Sequence, residues 1–275
     1  MVGIGCMTHR SSVLVWSVCG YLLVRLSVDG WLFAVGLPAT ASNALAVPLG
    51  MLFGLPAAAG LAVGVFVADG LRLAVSAATL IESCSVALIA AVGHTLWQPV
   101  DRSRWLALRE PRWWGGFALA GICGVTAGSA FVAWGFELAG LGSFYFVFAS
   151  SWLALVVGTL VVTPPTLAVV AWRRRTDRRD QSPGDRDHLL DGSSRARLAV
   201  GGLPFVWAGL GSLWSLGFQL RQRVPLFAFE RLDLASLYYW SEPGLFGRGG
   251  RRLQVVVGAV MLTLLFVSLR EVHDG

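Results

Sequence analysis

The chain has 275 residues, 55% of them hydrophobic and only 14% charged, with a formal net charge of +6. That apolar excess is more than one soluble core can hide, and its continuous runs, rather than alternating segments of about ten residues, exclude a β-barrel and predict helices in lipid. All 22 basic residues are Arg, placed mainly between the apolar runs where headgroups and topology attract them, so the positive charge is no nucleic-acid signature.

The first apolar stretch, Ser11 to Val24, follows the basic segment Met1 to Arg10 and superficially resembles a secretory signal. Further hydrophobic spans follow, which favours an uncleaved helix running to about Gly36 and stopped by Pro38. Arg25 and Asp29, spaced i,i+4, can neutralise each other on one of its faces. Asn43 to Ala68 contains Pro48, Gly54 and Pro56, so it reads as one kinked span or as two short helices broken near Gly54-Leu55-Pro56. The second reading is favoured because a proline disfavours helical geometry in the residue before it.

Asp69 and Arg72 mark a boundary, and Leu73 to Trp97 forms the next span, with Glu82 near its middle. Residues 98–112 are a polar loop with four Arg against two acids. Trp113 and Trp114 open the following helix as interfacial anchors, and it continues to about Leu138. Gly140 and Gly142 turn the chain into a span from Ser143 to Trp172, closed by Thr163-Pro164-Pro165 and then Arg173-Arg174-Arg175. Residues 173–197, with eight Arg and five Asp, are too polar to order themselves and read as a linker. Leu198 to Leu220 and Leu253 to Leu269 are the last spans. The loop between them carries Tyr238-Tyr239-Trp240 at headgroup level. The positive-inside rule puts loops 98–112 and 173–197 together in the cytoplasm, but the six Arg of 221–252 conflict with a further full crossing, which the sequence leaves undecided.

Charge inside a span costs at least about 2.5 kcal/mol, so each such group needs a reason. Glu82, in Ile81-Glu82-Ser83-Cys84-Ser85, lies too deep for its short side chain to reach water. A protonated or hydrogen-bonded packing residue and a solute-binding or proton-handling residue are equal readings of it. His94, close to Trp97 and Gln98, reads first as structural and second as a ligand. Asp69 with Arg72 reads first as a solvated i,i+3 pair at a helix end. Glu137, just before the glycine turn, reads as a boundary carboxylate. The GxxxG pairs Gly50/Gly54, Gly60/Gly64 and Gly124/Gly128 are packing features, since 33 glycines make such spacing common. Cys6, Cys19, Cys84 and Cys123 show no CxxC or Cys/His spacing and read as small hydrophobes, with neither a metal nor a disulfide implied. No Walker A, GxSxG, HExxH or GxGxxG pattern occurs, so neither an enzyme nor a cofactor is expected.

The stretch Leu45-Ala46-Val47-Pro48-Leu49-Gly50-Met51-Leu52-Phe53-Gly54, followed by Ala57 to Gly60 and Gly64-Val65-Phe66-Val67-Ala68-Asp69, resembles the region of energy-coupling-factor transporter S components where short Gly-rich helices precede an acidic position. Counting the broken stretch as two, residues 11–172 give six helices, the S-component number. The same stretch, with Trp152 and Leu160-Val161-Val162-Thr163-Pro164-Pro165, is also similar to MASE1-type membrane sensor domains. Those usually precede a kinase or cyclase output domain, and none follows Leu269. The first resemblance implies a solute-binding subunit powered by a separate ATPase and coupling subunits. The second implies a sensor. A structural membrane protein without a ligand is the third alternative.

The expectation is therefore an all-α, polytopic integral membrane helical bundle of six to eight transmembrane helices, multi-pass in the cell membrane. Its parts are a helical bundle over 1–172, an Arg/Asp-rich linker over 173–197, and a helix pair over 198–275 with an interfacial loop at 221–252. Its partners are the lipid bilayer and a small solute. The expected ligand contacts are Glu82, Asp69, Tyr145 and His94, offering a few oriented polar groups in an apolar pocket.

Overall fold

A computed structural model describes residues 3–29, 41–72, 75–97, 111–177, 194–221 and 248–274. Among the described residues the protein is all-α. Helix α1 (Gly3–Val24) passes into a π-helical turn at Arg25–Asp29, and a single turn α2 (Ala41–Ala44) leads to α3 (Ala46–Phe53) and α4 (Leu55–Leu71). Then follow α5 (Ala77–Trp97), α6 (Pro111–Ala139), α7 (Phe144–Asp177), α8 (Ser194–Arg221) and α9 (Arg248–Asp274). The expected end of the first helix near Gly36 and Pro38 lies outside the described residues.

Five of these helices, α5 to α9, contain segments long and apolar enough to cross a membrane, and the chain is a membrane protein of the helical class. Leu119, Val161, Leu198, Leu213 and Phe266 turn outward, which a lipid solvent favours and water does not.

The break between α3 and α4 falls at Gly54, whose φ of 73° is left-handed backbone that only glycine takes without strain. Its amide donates to the Gly50 carbonyl (2.8 Å) and its carbonyl accepts from Ala57 (3.0 Å), so one residue ends one helix and begins the next. Pro56 sits in the first turn of α4, where its missing N–H costs nothing. Conversely, α7 does not stop at Thr163-Pro164-Pro165 but runs on to Asp177. Prolines at membrane depth are tolerated where neighbours take up the freed groups, and Arg is a good helix former, so the Arg173-Arg174-Arg175 run prolongs the helix. The linker expected over 173–197 thereby narrows to 178–193, which lies outside the described residues.

Helix α5 is central. Its Ser83 hydroxyl donates to the Ala62 carbonyl of α4 (2.9 Å) and its Ser85 hydroxyl to the Gly128 carbonyl of α6 (3.0 Å). Close backbone approach explains the small residues: a Cβ on Gly50 would lie 2.4 Å from the Ala90 carbonyl oxygen, one on Gly60 2.7 Å from that of Leu14, and one on Gly124 2.9 Å from that of Ile89. Tyr21, Val47, Leu61, Val65, Ile89 and Phe117 fill the core between α1 and α6.

Helices α5 and α6 are antiparallel, with Trp97 edge-on to Phe117 at one end and Gly135 against Ile81 at the other. Ala196 of α8 and Val272 of α9 share a core with Val92 and Cys123. At the other end the Trp134 indole donates to the Gln254 carbonyl (2.8 Å). Helix α8 therefore runs the length of the bundle and α9 returns along it.

Candidate functional site

Four charged side chains from three helices meet inside the bundle, around Arg25. Its Nη1 lies 3.4 Å from Asp29 Oδ2 and 3.1 Å from Glu82 Oε1, while its Nη2 donates to Glu82 Oε2 (3.3 Å) and lies 3.7 Å from Asp69 Oδ1. The π-helical turn at Arg25–Asp29 is the kind of local widening that recurs at functional positions. It ends on Asp29, whose carboxylate is fully buried and accepts both the Ser42 amide (3.1 Å) and the Ser42 hydroxyl (2.5 Å). Asp29 thus ties α1 to α2 through backbone and side chain together.

Neutral groups extend the network. Tyr21 donates to Asn43 Oδ1 (2.9 Å), which turns the Asn43 amide nitrogen onto Glu82 Oε1 at 2.8 Å. Thr79, receiving the Ser76 amide, donates to Asp69 Oδ2 (2.7 Å). Arg72 donates to the Arg25 carbonyl at 3.0 Å. Asp69 Oδ1 lies at the longer distance of 3.7 Å from Arg25 Nη2. Asp69 and Glu82 are also the least covered acids here, with side chains 13% and 24% exposed.

Three carboxylates surround one buried guanidinium, so acceptors outnumber donors. Such a cluster holds its own geometry through Arg25 and leaves the edges of Asp69 and Glu82 for a donor from outside. Low dielectric strengthens every one of these contacts and penalises any left unmade.

Of the four expected ligand contacts, Glu82 and Asp69 are brought together and the others are not. His94 is twelve residues beyond Glu82, about 18 Å along α5. Its ring packs on the backbone break, where a Cβ on Gly54 would lie 2.9 Å from it. Tyr145, at the start of α7, stacks edge-on to Phe146 (5.5 Å), and its amide meets the Ser215 hydroxyl (3.4 Å). An apolar crevice between α6 and α7, lined by Phe117, Gly121, Val125, Val156, Thr159 and Leu160, encloses about 200 Å³ of empty space including its open side.

Arg25, Asn43 and Tyr21 were not among the expected contacts. The Arg25/Asp29 spacing was the available signal for the first, and nothing local announces the other two. Glu137 was expected as a boundary carboxylate, and it does stand on the last turn of α6. It is 2% exposed, and neither carboxylate oxygen has a hydrogen-bond partner. The Gly140–Gly142 turn folds α7 directly over it, so being last on a helix does not mean being outside.

Among the described residues no group of three or more His, Cys, Asp or Glu is arranged to hold a metal ion. Cys19 and Cys84 face outward and Cys123 is buried, all three as free thiols. Compared with known protein families, curated proteins and solved structures, the chain finds no match.

Proposed function

We propose that the chain is a multi-pass protein of the cell membrane that binds a small solute, in the manner of the substrate-binding subunit of a transport system. The observation carrying this is the convergence of Arg25, Asp29, Asp69, Glu82 and Asn43 from four separate stretches onto one point of an apolar bundle. Stability alone is a weak reason for such an arrangement, because apolar residues of the same size commonly serve as well or better. Intramembrane charges that pair with one another mark solute and ion pathways.

The partly uncovered edges of Asp69 and Glu82 suit a solute with N–H or O–H donors or a positive charge. Helices α1 and α3 to α7 number six over residues 3–177, in keeping with the S-component resemblance. On this reading a separate ATPase and coupling subunit supply the energy.

The test is to purify the protein in mild detergent from its own host and identify by mass spectrometry what remains bound. A vitamin-like or similarly small molecule, lost in Glu82→Gln while expression and fold persist, supports the binding site. Co-purification of an ATP-binding-cassette protein with a membrane coupling subunit supports transport; signalling proteins alone would replace it with the sensor reading. A Glu82→Gln protein that only loses stability would reduce the cluster to packing.

A further inference from the structure

We propose that Glu137 is a second, independent site whose ligand is a proton: in this packing it holds the proton, and it exchanges it with the aqueous phase beyond the 140–142 turn. The inference goes beyond solute binding and stands whether or not the Arg25 cluster binds anything.

Glu137 is on the last turn of α6, in a membrane-spanning segment, and both its oxygens are buried with no hydrogen-bond partner. Its surroundings are apolar and aromatic: Ala133 and Trp134 one turn back, Phe144 and Val147 of α7, and Trp207 and Ala208 of α8 belong to the core at this end. The first amide of α7, on Phe144, is the nearest compensating dipole, and its contact with the carboxylate falls short of a well-formed hydrogen bond. Moving an unpaired carboxylate out of water costs more than one helix terminus returns, so the neutral acid is the form that fits here.

The charged groups with described side chains on the elements packed against α6 leave it that way, the side chains of Arg221, Arg248, Arg251 and Arg252 on the nearer ends of α8 and α9 lying outside the described residues. Glu82 of α5 is engaged by Arg25 and Asn43. Helix α3 has no titratable residue, and the start of α7 offers only Tyr145. On α8 the arginines with described side chains, Arg195 and Arg197, adjoin Ala196, and on α9 Arg270, Glu271 and His273 adjoin Val272; both groups lie at the opposite, Trp97 end of the bundle. No described cation faces Glu137. Arrival of the proton converts carboxylate to carboxylic acid and departure returns it to water, with no other bond made or broken. The path is short: Leu141 is exposed, and only the glycine turn separates Glu137 from it.

The experiment is infrared difference spectroscopy of the full chain in lipid nanodiscs across a pH titration, with the protein carrying ¹³C-carboxyl glutamate. The expected result is a protonated-carboxyl band at neutral pH that shifts with the label, disappears at alkaline pH, persists in Glu82→Gln and is absent from Glu137→Gln. Should Glu137→Gln not fold, the labelled protein carrying Glu82→Gln and Glu271→Gln together decides, since it removes the other two glutamates inside the apolar spans. A labelled band that vanishes with Glu82, a band that survives in Glu137→Gln, or no labelled band at neutral pH would each overturn the proposal.

Discussion

Asp69 stands three residues before Arg72, yet its carboxylate lies 3.7 Å from Arg25 of another helix, while Arg72 donates to the Arg25 carbonyl. The pair that looks local in the sequence is therefore two long-range attachments to one residue. Arg25 holds the ends of α4 and α5 against α1, and most of the consequences below follow from that.

Replacing Arg25 by Met leaves three carboxylates without their shared counter-charge. Removing one partner of a buried ion pair costs about 3–5 kcal/mol, so a large fall in thermal midpoint in detergent is expected. Adding Glu82→Leu should recover part of the loss. Simple additivity of the two, within about 0.5 kcal/mol, would show that the residues are not coupled.

Tyr21→Phe removes only the hydroxyl that orients Asn43. A buried neutral hydrogen bond contributes about 0.5–1.5 kcal/mol, so the midpoint should fall modestly. Retention of the bound solute should weaken less than in Glu82→Gln, because Asn43 still reaches Glu82. Equal losses in the two variants would mean that Asn43, not Glu82, makes the decisive contact.

His94→Ala and Tyr145→Phe are expected to leave solute retention unchanged, as neither side chain reaches the Arg25 cluster. A loss in either, measured by the same co-purification, would move the site toward the Gly54 break or the start of α7.

Gly50→Ala places a methyl against the Ala90 backbone, which cannot yield as a side chain can. Forcing α3 from α5 should destabilise by about 1–3 kcal/mol. Gly93→Ala, on the same helix as Ala90, meets nothing within 4 Å and should be neutral or slightly stabilising. Comparison of their melting curves separates close packing from mere glycine content.

The antiparallel order of α5 to α9 puts the 140–142 turn and the helix ends at Arg221 and Arg248 at one end of the bundle, and those at Trp97 and Pro111 at the other. In a protein freed of its own cysteines, Leu141→Cys and Ser241→Cys should react with an impermeant thiol reagent from the same face of the membrane, and Ser103→Cys from the opposite one. Labelling of Ser241→Cys together with Ser103→Cys would mean that α8 does not cross.

The membrane-embedded helical class was legible because apolar length and sparse charge are properties of the chain itself. So was the break at Gly54, where Pro56 and a glycine sit side by side. Glu82 stood out because a carboxylate within an apolar run needs a partner, but its partner lies 57 residues earlier. No spacing rule connects residues on different helices. Asn43 was invisible for the same reason, its role arising only when Tyr21 turns it. The position of Glu137 at the end of α6 was legible, but its burial was not, because α7 and α8 set it. The continuation of α7 through two prolines was hidden too, since proline breaks isolated helices more readily than helices packed in lipid.

The division at Gly54 also shapes the surrounding bilayer. At eight and seventeen residues, α3 and α4 extend only about 12 and 26 Å, against a hydrocarbon layer of about 30 Å. Leu55, Val63, Phe66 and Val67 nevertheless point outward from this flank. A bilayer meets such a short apolar flank by thinning beside it or by letting the helices tilt. A flank of that length creates hydrophobic mismatch, which favours thin membrane regions and neighbours whose own flank is equally short.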